Sequence, residues 1–183
     1  MELIFLKENL LILGAGGHGR VVKETAIAMD CFAKIDFLDD YSDIAIGICN
    51  DYRLFVNKYN YAFVAIGNNE QRMRWLEELI EAGFQIPVLM HPTAYKSPLA
   101  RVDLGSIICA KAVVNTNAKL EKGCIISIGA LVDHDSFVGE GSHINSGAIV
   151  KAGCRVDRQK KLDAGRVYSK KKKLREYSFE AGV

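Results

Sequence analysis

The segment Val132-Asp133-His134-Asp135 sets one imidazole between two carboxylates. Imidazole titrates near neutral pH, so it can take up a proton and give it back within one reaction cycle. A neighbouring carboxylate fixes its tautomer and stabilises the imidazolium that forms. A lone surface histidine is usually only hydrated; the acids on both sides set His134 apart. A second constellation lies near the start, where the apolar run Leu10 to Leu13 ends in Gly14-Ala15-Gly16-Gly17-His18-Gly19. Glycines between a strand and a helix let backbone N–H groups face a phosphate with no Cβ in the way. The same glycines would also serve a merely tight turn. Their context favours a ligand, because a second strand, Ile35 to Leu38, ends in Asp39-Asp40, about where a ribose-binding acid is expected. A third apolar run, Tyr61 to Ile66, ends in Gly67-Asn68-Asn69.

These residues need elements to hold them. Arg20 to Met29 has the spacing of an amphipathic helix, and Glu70 to Ala82 reads as another, stopped by Gly83, with Met73, Leu76, Leu79 and Ile80 on one face. Ile86 to Met90 reads as a fourth strand, and His91-Pro92 closes the unit because proline disfavours helix before it. Residues 1–92 thus form a small Rossmann-like α/β domain, half a dinucleotide fold, suited to one nucleotide rather than a whole NAD.

The second half is organised by a period of six. Aliphatic residues recur at Val102, Ile108, Val114, Leu120, Ile126, Val132, Val138, Ile144, Val150, Val156 and Leu162. Two places before each stands a small residue, from Ala100 through Ala112, Ala130 and Ala148 to Cys154, until Lys160 breaks the column. This period suits neither a 3.6-residue helix nor a simple alternating strand, but it fits a coil of three flat sides with the aliphatic column inside. Small neighbours are required because a narrow prism has little room at its corners. Glycines 105, 123, 129, 139, 141, 147 and 153 suit those corners, where positive φ is cheap in glycine. A sheet sandwich would have irregular strand and turn spacing. His134 follows an inward residue by two places and should project outward.

Composition excludes several classes. With 49% apolar residues among 183, the chain is globular. It has no uninterrupted apolar stretch of membrane-spanning length, and Met1 to Leu13 lacks the basic start and cleavage site of a leader, so it reads as cytoplasmic and not membrane-inserted. The 5 cysteines are scattered and never form a CxxC pair, which supports neither a disulfide framework nor a zinc knuckle. The net charge of +2 conceals a basic tail at 166–183, with Arg166, Lys170 to Lys173 and Arg175. Such a tail can touch phosphates, but no nucleic-acid reading module accompanies it.

Taken together, GAGGHG, FLDD at Phe37 to Asp40, AIGNNE at Ala65 to Glu70, the repeat array and Val132 to Asp135 resemble the sialic-acid O-acetyltransferase and amino-sugar N-acetyltransferase family of hexapeptide-repeat enzymes. Within it the resemblance is to the UDP-4-amino-sugar N-acetyltransferases of bacterial bacillosamine synthesis, from about Leu10 to Val156. It implies that the coil at 93–165 is a left-handed parallel β-helix and that the protein is a homotrimer with sites between subunits. It implies acetyl-CoA as cosubstrate, a nucleotide-linked amino sugar as acceptor, and no metal. It makes His134 the general base and Asp135 the acid that raises its basicity, although the bacillosamine enzymes carry a glutamate there. Gly16, Gly17, His18, Asp39, Asp40 and Gly67 match positions that hold the sugar nucleotide, and His143 and Ala152 match positions that contact acetyl-CoA.

Other functions fit parts of the same pattern. Carbonic anhydrases of this shape use three histidines around zinc, whereas only His134 and His143 lie in this repeat array. O-acetylation of a sugar such as sialic acid, or a catalytically impaired nucleotide-sugar-binding scaffold, remains open. After Val156 the array decays and is expected to end at Leu162, where the family implies further coils that complete the cofactor groove. The expectation is a C-terminally shortened β-helix, either a natural form or a frameshifted product.

Overall fold

The structure, a computed structural model, describes residues 7–170. Strand β1 (Glu8–Leu13) lies between β2 (Phe32–Leu38) and β3 (Tyr61–Val64) in a three-stranded parallel sheet. Helix α1 (Gly17–Ala28) connects β1 to β2, and helix α2 (Asn69–Glu81) follows β3. The strand order reverses at β1, so the turns after β1 and β3 face each other across one crevice. Gly14 there has φ of 101°, and a Cβ on it would meet the Ala65 carbonyl oxygen at 2.9 Å. A Cβ on Gly19 would lie 2.1 Å from the Gly14 oxygen, so the spacing of the motif is set by backbone against backbone.

The expected fourth strand of this sheet is not there. Gln85 makes only an isolated bridge to Tyr61, and Leu89–Met90 pairs instead with Ile107–Ile108 as the first rung of the coil. Pro87, which has no N–H to give to a ladder, separates the two. The coil therefore begins within residues 1–92.

Three parallel faces then build the prism by pairing each strand with the one eighteen residues on. The first stacks Leu89–Met90, Ile107–Ile108, Ile125–Ile126, His143–Ile144 and Lys161–Leu162. The second stacks Tyr95–Lys96, Val113–Val114, Leu131–Val132, Ile149–Val150 and Val167–Tyr168. The third stacks Arg101–Val102, Lys119–Leu120, Phe137–Val138 and Arg155–Val156. Lys96 apart, the second residue of each rung packs into the interior, and Ala112, Ala118, Cys124, Ala130, Ala148 and Cys154 pack beside this column, as the period requires. Ser106, Ser136 and Ser142 are as buried, and each donates its hydroxyl to a backbone carbonyl.

Corner geometry explains the glycines. Every sixth residue from Gly105 to Gly165 has positive φ, including Lys111, Asn117, Asp135 and Gln159. Gly139 is not one of them; it is small because a Cβ there would lie 2.6 Å from the Arg158 backbone nitrogen. The array also continues beyond Leu162, since Gly165 makes one more corner and Val167–Tyr168 one more rung. Tyr168 takes the inward position of that rung and packs, partly buried, against the coil core. Part of the expected basic tail at 166–183 thus belongs to the coil, and its residues 171–183 lie outside the described residues.

The outward column of the first face, Leu89, Ile107 and Ile125, is buried against Leu10, Ile12 and Phe63 of the α/β domain. Among the described residues, the corresponding columns of the other two faces are uncovered. No helix among the described residues is long and apolar enough to cross a membrane.

Candidate active site

His134 sits at the edge where the second and third faces meet. Its Nδ1 lies 2.7 Å from Asp135 Oδ2, and since a carboxylate only accepts, Nδ1 carries the hydrogen and Nε2 is left as the basic atom. Asp135 occupies the positive-φ corner position, at 56°, which aspartate tolerates better than most residues. Its other oxygen accepts from Asn117 Nδ2 at 3.1 Å. Asp133 Oδ1 accepts the His134 backbone N–H at 2.7 Å and Asn115 Nδ2 at 3.0 Å. The two asparagines lie one coil below the two aspartates and fix both carboxylates. The hydrogen bond to Asp135 holds the His134 imidazole above its usual range, and the same bond holds Asp135 below the usual carboxylate range. Imidazole and carboxylate are both about half exposed, at 51% and 55%. Ala152 lies one coil above His134, beside it on the same edge, and Gly153 donates its N–H to the His134 carbonyl.

The glycine turn occupies a different edge. Gly16 and Gly17 are exposed at the start of α1. Asp39 accepts the Ala15 N–H at 2.7 Å on Oδ2 and the Tyr41 N–H at 2.9 Å on Oδ1, and Asp40 accepts the Cys49 N–H at 2.9 Å. The two acids therefore shape the rim of the crevice through backbone groups. His18 meets His143 with ring centroids 6.5 Å apart. His143 shares a 2.9 Å hydrogen bond with Ser127 Oγ through Nε2, while its Nδ1 and the Nε2 of His18 are buried without a partner among the described residues. His18 lines a cleft of about 240 Å³ together with Thr25, Cys109, Ser127 and Ser146.

Burial, reinforced by the charge of Arg72, lowers both imidazoles to about 4. Protonation is thus disfavoured in the folded state, and the unfolded chain binds protons that the folded chain does not as pH falls below the ordinary value of 6.5. Stability should therefore decline as pH drops from 6.5 toward 4. Thermal melts across that range check this; exchanging His18 and His143 together for glutamine should flatten the slope, and an unchanged slope would discard the pair as its source.

The residues expected at the site fall into two groups. His134, Asp135 and Ala152 share one edge, while Gly16, Gly17, His18, Asp39, Asp40, Gly67 and His143 gather where the α/β domain meets the first face. That face lies opposite the His134 edge of the prism, so a single chain keeps the groups apart. One residue with no sequence signal is Arg72, on the buried face of α2 in place of the expected Ile80. Nothing in periodicity predicts a buried arginine. No group of three His, Cys, Asp or Glu among the described residues could hold a metal ion.

Residues 9–79 match the PglD N-terminal domain family. Along its length the chain is similar to the acetyltransferase domain of PglB from Neisseria gonorrhoeae FA1090, with 35% identity, 89% of this chain and 83% of that chain covered, and a TM-score of 0.83. That protein has also been seen in complex with acetyl coenzyme A. The chain resembles PerB from Caulobacter crescentus, in complex with CoA and GDP-perosamine, at 26% identity, with 89% of each chain covered and a TM-score of 0.75. WeeI from Acinetobacter baumannii AYE, at 18% identity and a TM-score of 0.70 over 88% of this chain and 92% of that one, shares the fold.

Proposed function

The chain belongs to the hexapeptide-repeat sugar acetyltransferases, with their left-handed β-helix and acetyl-CoA as donor, and from that premise we propose that it N-acetylates a nucleotide-linked amino sugar of the UDP-4-amino-sugar type. The observation that carries this reading is the His134–Asp135 pair, with its basic nitrogen exposed beside Ala152. An amine that attacks a thioester carbonyl must shed a proton. His134 Nε2 receives it, Asp135 stabilises the imidazolium, and the departing thiolate takes the proton back, so that free CoA leaves and the base is restored. Gly16, Gly17, His18, Asp39, Asp40 and Gly67 hold the nucleotide part of the acceptor, and His143 and Ala152 contact acetyl-CoA.

A homotrimer completes the site. The second face carries an outward column of Tyr95, Val113, Leu131, Ile149 and Val167, partly exposed and apolar, whereas the third face carries Arg101, Lys119, Phe137 and Arg155. The second face is bounded on one side by the His134 edge and on the other by the edge beside His18 and His143. Three copies that turn this face to a common axis bury the apolar column and set the base of one chain against the glycine turn of the next.

The test is to mix the protein with acetyl-CoA and a panel of nucleotide-linked amino sugars and follow thiol release. Release with a UDP-4-amino sugar, and slower release with GDP-perosamine, is expected. Release only with sialic acid would make the protein an O-acetyltransferase, and nucleotide-sugar binding without release would make it a scaffold.

A further inference from the structure

Arg72 is 1% exposed, the one charged side chain among the described residues buried as deeply as the apolar core. It joins the α/β domain to the coil: Nε donates to the Gly123 carbonyl at 2.9 Å, and Nη2 donates to the Gly141 carbonyl at 2.6 Å and to Asn69 Oδ1 at 2.8 Å. Nη1 donates to the carbonyls of Ile66 at 2.9 Å and Gly67 at 3.4 Å. Every partner is neutral, and among the described residues no carboxylate pairs with it. Burial lowers its pKa to about 10, so it stays charged at neutral pH. Taking a guanidinium out of water without an opposite charge is expensive. The cost points to a use.

The geometry shows what the charge does to the neighbouring turn. In a trans peptide the carbonyl and the N–H point in opposite directions. Drawing the carbonyls of Ile66 and Gly67 onto the guanidinium therefore turns the N–H groups of Gly67 and Asn68 the other way. Neither N–H finds an acceptor among the described residues. The turn is open on that side, since a Cβ on Gly67 would meet nothing within 4 Å, and it borders a cleft of about 450 Å³ shared with Asn68, Asn69, Glu70, Gln159 and Lys161. The glycine turn after β1 abuts it, since a Cβ added to Gly14 would lie 3.4 Å from Ile66 Cγ1.

We propose that Arg72 is a positioning residue for the diphosphate of the acceptor: it presents the Gly67 and Asn68 N–H groups to the phosphates, whose charge balances its own. This rests on the nucleotide-linked acceptor named above. Lys161 and Glu70, both exposed on the cleft's lining, bring opposite charges that salt screens, whereas the buried charge of Arg72 is screened much less.

Calorimetric titrations with UDP, GDP, uridine and guanosine separate this role from a structural one. The readout is the ratio of diphosphate to nucleoside affinity. In Arg72→Met that ratio is expected to fall roughly 10-fold or more, with nucleoside affinity changed by less than about threefold, as for loss of a charge-assisted contact. Arg72→Lys should keep part of the ratio, because it keeps the charge but not the fork. A purely structural arginine would weaken nucleoside and diphosphate together, and an unchanged ratio overturns the proposal. Should Arg72→Met fail to fold, the wild-type protein still decides: inorganic pyrophosphate is expected to shift the amide resonances of Gly67 and Asn68, and two unmoved resonances overturn the proposal. Wild-type protein that binds neither diphosphates nor nucleosides removes the nucleotide-linked acceptor itself, whereas normal binding with an unaltered Arg72→Met ratio removes only the role of Arg72.

Discussion

Replacing His134 with alanine is expected to lower kcat by roughly 10²-fold or more, the range of general-base contributions, while thermal stability stays as it is. The side chain is half exposed, and its contacts are polar bonds at a coil edge, so truncation opens no cavity. The loss should fall on kcat, because the proton moves only as the new bond forms. Asp135→Asn adds an independent sign. Asparagine accepts the left-handed corner conformation, so the coil should close as before. Without the carboxylate, the imidazole loses the interaction that raises its pKa. The acid limb of the pH–rate profile should then move to lower pH while the plateau drops, because the tautomer is no longer held. Wild-type turnover in His134→Ala, or an acid limb that Asp135→Asn leaves in place, would assign the base elsewhere.

Much of this arrangement is written in the period. Residues eighteen apart stack, so Asn117 under Asp135 and Ala152 above His134 follow from numbering once the coil is recognised. His134 and His143 are half a coil apart, which places them on different sides of the prism. What the period leaves unread is where the coil starts and stops, because end rungs have fewer neighbours to satisfy. Leu89–Met90 is as apolar as an α/β strand, and only its pairing with Ile107–Ile108 tells which sheet claims it. Tyr168 departs from the aliphatic column, and among the described residues it packs on the rung below. Arg72 was invisible for another reason: its burial depends on carbonyls of Gly123 and Gly141, far along the chain, and helical periodicity counts an arginine as surface.

The separation of the two groups within one chain makes a stronger test possible than any single variant. Gly17 is exposed, and a Cβ there meets nothing within 4 Å, so Gly17→Asp should fold while placing a negative charge where the substrate phosphates belong. Alone it should be nearly inactive, as should His134→Ala. If each site joins the base of one chain to the glycine turn of the next, then unfolding and refolding the two variants together creates intact sites wherever a Gly17→Asp chain lends its His134 to a His134→Ala neighbour. Random assembly of equal amounts makes roughly a quarter of the sites intact by the symmetry of a ring, so activity should return to about that fraction of wild type. Sites contained within one chain would return nothing, since every chain in the mixture is then defective. The same mixture made with Leu131→Glu in both variants is a control on assembly: a charge in the middle of the apolar face should leave monomers by sedimentation and abolish the recovery. Recovery that persists with Leu131→Glu, in oligomers still seen by sedimentation, would show that the chains share their sites through a face other than the second.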